Sequence, residues 1–97
     1  MIAYLRGRLL SSSGDVVVIE TGGIGFRVQV TAKVRESLPR VGQMVELYTY
    51  MNVRENDISL CGFATEEEQS LFRTLLGVSG VGPRTALAML SAFSPDN

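Results

Sequence analysis

Apolar and polar positions alternate with a period of two over much of the first sixty residues. Ile24, Phe26, Val28 and Val30 interleave with Gly25, Arg27, Gln29 and Thr31, and Val45, Leu47, Thr49 and Met51 do the same against Glu46, Tyr48 and Tyr50. Such alternation predicts strands with one buried face. Val16 to Ile19 is a continuous β-branched run, the pattern of a strand buried on both faces. Residues 2–10 and 57–63 complete five predicted strands. Turn signals separate them at Ser11-Ser12-Ser13-Gly14-Asp15, Gly22-Gly23, Pro39 with Gly42, and Glu55-Asn56-Asp57. Residues 32–38 predict one or two helical turns between the third and fourth strands. Five short strands with that interruption outline a small Greek-key barrel of the OB-fold type.

The period then lengthens. Thr65-Glu66-Glu67-Glu68 has the spacing of a capping box, with Thr65 able to cap the amide three residues on and Glu68 able to reach back. Leu71, Phe72, Leu75 and Leu76 follow at helical spacing, and Gly77 ends that helix. After Val78-Ser79-Gly80-Val81-Gly82, Pro83 stands at a favoured first-turn position of a second helix, which Ser94-Pro95 terminates. Two short helices bury little by themselves, so this segment is expected to pack on the barrel or to begin a longer domain. The expected organisation is mainly β with α: residues 1–64 as the barrel, and 65–97 as the start of a small all-α domain that is truncated.

Composition narrows the chemistry. The chain has no histidine, which removes the usual imidazole base and nearly every zinc site. Its single cysteine, Cys61, precludes an internal disulfide and fits a reducing cytoplasm. Neither a signal peptide nor a membrane span is expected from residues 1–97. A net charge of −1 selects no partner by itself, but eight of the nine basic residues are arginine, the side chain suited to bidentate phosphate contacts. Cys61 and the four methionines read as core or gap-filling residues.

Two glycine clusters invite a nucleotide reading and fail it. Gly22-Gly23-Ile24-Gly25 has Val28 where a dinucleotide fingerprint needs its third glycine, and a strand follows instead of a helix. Gly77 and Gly82 have P-loop spacing, but Pro83 and Arg84 stand where Lys and Ser/Thr are required. No cofactor, no metal and no catalytic residue is therefore expected, and the chain is not expected to be an enzyme.

Leu75 to Leu87 is the most informative segment. Helix, tight glycine turn and second helix would direct the amides of Gly80, Gly82, Arg84 and Thr85 toward one anionic oxygen, with Ser79 a further phosphate-binding candidate beside them. The helix dipole and the Arg84 guanidinium would act at the same end. Such a site grips phosphate without reading bases. An αα-hairpin whose glycines only permit the turn is the competing reading.

The segment resembles a helix-hairpin-helix motif, and the chain as a whole resembles the N-terminal half of the RuvA family of bacterial Holliday-junction proteins. The resemblance rests on Met1-Ile2 with Arg6-Gly7 and on Gly22-Gly23-Ile24-Gly25-Phe26. It rests equally on Val53-Arg54-Glu55-Asn56-Asp57 with Gly62-Phe63, and on Gly80-Val81-Gly82-Pro83-Arg84. It implies an OB-fold, then a domain with two helix-hairpin-helix motifs, then a third domain engaging the ATPase RuvB. Only the barrel and the first hairpin fall within residues 1–97. The implied role is sequence-independent binding of four-way junction DNA in recombination and repair, as a homotetramer serving RuvB and the resolvase RuvC. The resemblance also implies an acidic pin at the turn Glu55-Asn56-Asp57. Asn56 stands where the family pattern has a second carboxylate, and Asp57 follows one place later. Arg54 would balance the pin or hold a phosphate. Two other readings compete: an oligomeric protein-interaction module, and a single-strand-binding OB-fold that stacks bases on Tyr48 and Tyr50.

Overall fold

The computed structural model describes residues 1–92, so the Ser94-Pro95 stop lies outside the described residues. Five strands, β1 (Tyr4–Ser13), β2 (Val16–Thr21), β3 (Ile24–Gln29), β4 (Met44–Val53) and β5 (Ile58–Phe63), close into a barrel in the order β1-β2-β3-β5-β4. Neighbours are antiparallel except β3 and β5, which run parallel with Val28 opposite Leu60. A short helix α1 (Ala32–Ser37) interrupts the strands, and α2 (Glu66–Leu76) and α3 (Pro83–Ala92) follow. This is the mainly β architecture with a five-stranded OB-type barrel that the alternation predicts.

Inward positions fill the barrel. Leu5 and Leu9 of β1, Val17 and Ile19 of β2, Val28 of β3, and Val45 and Leu47 of β4 form one core with Val30, Val34 and Leu60. The run Val16–Ile19 is not buried on both faces, as its composition suggests. Val17 and Ile19 are fully buried, while Val16 and Val18 are only half-buried on the outside of the sheet. The serines 11–13 belong to β1 and not to the turn, which is only Gly14-Asp15. β1 thus starts at residue 4 and ends at 13, later than the predicted 2–10, because its far half pairs with β2 beyond an irregularity at Leu10. Gly22 and Gly23 close the β2–β3 hairpin with φ of 59° and 88°, a pair of left-handed residues that few side chains tolerate.

The barrel has two different ends. At one, α1 lies across the opening, with Val34 in the core, Leu38 packed against it and Thr31 Oγ1 capping the Val34 amide at 3.1 Å. Strand directions put the Gly14-Asp15 turn at this same end, and the Val30 amide donates to the Asp15 carbonyl at 2.8 Å. The β2–β3 and β4–β5 turns lie at the other end, which none of the described helices covers.

The helices pack on the outer face of β4 and β5. Phe72 and Ala86 are fully buried there with Leu90, Phe63 and Cys61. The Phe72 ring sits 4.9 Å from Phe63 and 5.5 Å from Tyr50, centroid to centroid. The capping box forms as predicted: the Glu68 amide donates to Thr65 Oγ1 and Glu68 Oε1 accepts from the Thr65 amide, both at 3.2 Å. Gln69 ties α2 to the barrel through its Nε2, which donates to the Thr49 and Ala3 carbonyls at 2.6 and 3.1 Å.

Three of the four methionines, Met1, Met44 and Met89, are exposed, so methionine marks no core here. Cys61 is buried as predicted, and Asn52 Nδ2 approaches its Sγ at 3.5 Å. Burial pushes the thiol up to about 11. A thiol that ionises later when folded stabilises the fold fully below its unfolded value. That contribution is then lost as pH rises from about 9 toward about 11. Cys61 should therefore resist alkylation at neutral pH until the chain is unfolded, and Cys61→Val should flatten the alkaline fall in melting temperature. Rapid labelling of the folded chain at pH 7 would contradict this.

Candidate nucleic-acid interface

The hairpin between α2 and α3 is built from two tight turns. The Gly77 amide donates to the Thr74 carbonyl at 3.1 Å, Val78 to Leu75 at 3.0 Å, and Val81 to Val78 at 3.1 Å. Its glycines serve different purposes. Gly77 keeps an ordinary right-handed φ of −75°, but an added Cβ would stand 3.3 Å from the Thr74 carbonyl oxygen. Gly80 is left-handed at φ 84°, which the turn requires. Gly82 has neither constraint: its φ is not positive, and nothing lies within 4 Å of where a side chain would begin. The fold therefore leaves the approach to the Gly82 backbone open.

Pro83 starts α3 where its missing N–H costs no hydrogen bond, and the Gly82 carbonyl accepts from the Ala86 amide at 2.9 Å. The amides of Ser79, Gly80, Gly82, Arg84 and Thr85 reach no acceptor among the described residues. First-turn amides of a helix are orphans by geometry, and the dipole adds the equivalent of about half a positive charge there. Ser79, Arg84 and Thr85 are exposed, and Gly80 lies at the tip. The structure therefore brings Ser79, Gly80, Gly82, Arg84 and Thr85 together at one exposed, electropositive helix end.

Arg84 has neighbours that its sequence position does not announce. With Leu87, Ala88 and Ser91 it lines an open cleft of about 480 Å³ against the α1 end of the barrel, where Asp15, Gln29 and Thr31 form the other wall. These residues come from segments more than fifty positions away, so only barrel closure sets them beside α3. No local pattern could have found them. Asp15 is the one carboxylate among the residues lining this cleft.

The second predicted group stands elsewhere. Arg54, Glu55, Asn56 and Asp57 form the exposed β4–β5 turn, closed by the Arg54 amide donating to the Asp57 carbonyl at 2.7 Å. This turn lies at the uncovered end of the barrel, opposite the end that Arg84 flanks. Within one chain the acidic turn and the glycine hairpin do not meet.

The tyrosines offer little stacking surface. Tyr50 is half-buried with its ring in a T-shaped contact with Phe72, so helix packing takes up part of the ring. Tyr48 is half-buried against Tyr4, with ring centroids 5.5 Å apart. The Tyr4 hydroxyl donates to Glu46 Oε2 at 2.5 Å, and that bond pushes the phenol above its ordinary value. None of the described helices is long and apolar enough to cross a membrane.

Comparison with known proteins gives concordant results. The family model described as the RuvA N terminal domain matches residues 1–62. The proteins named Holliday junction branch migration complex subunit RuvA from Symbiobacterium thermophilum and Chlorobium phaeovibrioides are 50% and 51% identical over 95 and 94 residues. These alignments cover 98% and 97% of this chain but 46% and 47% of the relatives. The protein of the same name from Acetivibrio thermocellus is 45% identical over 95 residues, 98% of this chain and 47% of its own length. The chain thus spans about half the length of the curated relatives it matches.

Proposed function

The chain belongs to the RuvA N-terminal domain family, and from that premise we propose that it binds four-way DNA junctions through their sugar-phosphate backbone. It acts as a non-catalytic subunit in recombination and repair, in the cytoplasm, with four copies around one junction and with the RuvB motor and RuvC resolvase as partners. Residues 1–64 serve as the OB-fold assembly domain, and 65–97 begin a helix-hairpin-helix domain. The hairpin holds a phosphate through the amides of Ser79, Gly80, Gly82 and Thr85 and through the Arg84 side chain. Glu55 and Asp57, with the neutral Asn56 between them, act as the pin that keeps duplex off the centre by repelling phosphates, while Arg54 holds a nearby phosphate.

The observation that carries this reading is the set of acceptor-free amides at the α3 N-terminus beside the unobstructed Gly82 backbone. Separation of the two groups supports it further. Pins at one end of each subunit can converge on a shared axis while hairpins at the other end grip four separate arms. Force and ATP hydrolysis belong to the motor.

The test is a gel-shift titration against a four-way junction, a linear duplex and a single strand at two salt concentrations. Junction preference that collapses with salt supports the reading, and equal binding of all three removes it. Arg84→Ala should weaken binding alike for every sequence and lower the slope of log affinity against log salt by about 0.9, one phosphate contact. Asp15→Asn should act in the opposite direction, strengthening binding about twofold, because it removes the carboxylate from the Arg84 cleft. An unchanged salt slope for Arg84→Ala would take that residue out of the phosphate site.

A further inference from the structure

We propose that Asp15 is a release residue for the phosphate held at Arg84: its carboxylate shortens the life of that contact without slowing its formation. The proposal rests on the phosphate role given to Arg84 above and assigns that site a built-in counter-charge.

Backbone atoms alone hold the turn that carries this carboxylate. Gly14 supplies the left-handed residue of the β1–β2 turn, with φ of 60°. Two later segments pin it from outside. The Val30 amide donates to the Asp15 carbonyl at 2.8 Å, and the Arg35 guanidinium of α1 donates to the Gly14 carbonyl. The Asp15 carboxylate takes no part in any of this: among the described residues it makes neither a hydrogen bond nor an ion pair, and the residue is exposed. The fold therefore fixes where Asp15 stands but has no structural use for its charge.

Its surroundings give the charge a use. Asp15 and Arg84 stand on opposite walls of one open cleft of about 480 Å³, as the one anion and the one cation among its lining residues. Arg84 is exposed and makes no ion pair with any described residue, so its guanidinium is open to a ligand. A phosphate that reaches Arg84 comes to rest near a second negative charge, which raises the energy of the bound state. The same carboxylate attracts the guanidinium as the phosphate leaves, so both effects favour release. Screening confines them to short range, since the Debye length is about 8 Å at physiological salt. An approaching DNA backbone is steered by the whole surface and meets this carboxylate only at contact. Affinity is then tuned through dissociation rather than arrival. Such a site suits a DNA arm that moves past the protein, because a contact that outlives each step would stall it.

The experiment is stopped-flow release of a fluorescent four-way junction from the 97-residue chain, chased with excess unlabelled junction. Asp15→Asn should slow dissociation about twofold and leave association nearly unchanged. Asp15→Glu keeps the charge and should release like wild type. Glu36→Gln removes an exposed carboxylate from α1, at the same end of the barrel but outside the cleft, and should change neither rate. In an Arg84→Ala background Asp15→Asn should have no further effect, the signature of a coupled pair. Circular-dichroism melts establish that each variant is folded. Release of Asp15→Asn at the wild-type rate overturns the proposal, as does equal slowing with and without Arg84, or equal slowing by Glu36→Gln. A change confined to association also overturns it, because the carboxylate then acts by steering. A wild-type chain that binds junction, duplex and single strand alike removes the junction reading above, and the same cycle run on duplex still decides this one. Failure to bind any DNA overturns both.

Discussion

Gly7→Ala should lower the melting temperature by roughly 12–24 °C, the counterpart of about 3 kcal/mol in a domain of this size. Gly7 lies on β1 between the inward residues Leu5 and Leu9, where β1 passes from its pairing with β4 to its pairing with β2. A Cβ at Gly7 would collide with the Glu20 carbonyl oxygen and stand 2.9 Å from its carbonyl carbon. The obstruction is backbone, so no rotamer change relieves it. β1 or β2 must move, and the Thr21 hydroxyl that donates to the Arg6 carbonyl at 3.1 Å would move with it. Gly62→Ala is the instructive comparison. Its Cβ would meet Val28 Cγ1 at 2.7 Å and Leu47 Cδ1 at 2.9 Å, both side-chain atoms that can shift, so a smaller loss is expected. Thermal melts followed by circular dichroism decide the matter. A Gly7→Ala midpoint within about 3 °C of wild type would mean the strands are not held as closely as described.

Phe72→Ala should cost about 3–5 kcal/mol, and the loss should fall unevenly across the molecule. Phe72 is the fully buried side chain through which α2 contacts both Phe63 and Tyr50. It belongs to a cluster separate from the barrel core, since Cys61 and Phe63 pack with Ala86 and Leu90 of α3 while Val28, Leu47 and Leu60 face inward. Truncation should therefore release α2 and α3 before the barrel opens. Amide exchange should show early loss of protection in 66–92 with β1–β5 still protected; under the proposed function, junction binding should fall with it as the hairpin loses its fixed placement. Uniform loss of protection would instead mean that the two clusters unfold as one.

Much of this was legible in local sequence, and the particular residues explain why. Thr65 and Glu68 satisfy each other's backbone within four residues, so their capping box needs no distant partner. Gly22-Gly23 supplies two left-handed residues where a two-residue hairpin demands them, and the alternation from Ile24 to Val30 follows the pleat. The glycine hairpin, too, is local: Gly80 and Pro83 act on their own neighbours. Val16 to Ile19 misleads because β-branched residues also suit a half-covered outer face, and the methionines mislead because hydrophobicity does not say which side of a strand is covered.

Sequence by itself determined the elements, the hairpin that ends in free amides, and the kinship with RuvA proteins, since each rests on residue order over short spans. Tertiary structure alone decided that Asp15 lines the cleft of Arg84, that Phe72 packs against Tyr50, and that Ile24, Val53 and Ile58 stand exposed at the barrel end away from α1. Those outcomes depend on how a closed barrel brings remote strands side by side and on which of its two ends a helix covers. Periodicity along a chain encodes the first layer of burial, but the partner that provides it is chosen in three dimensions.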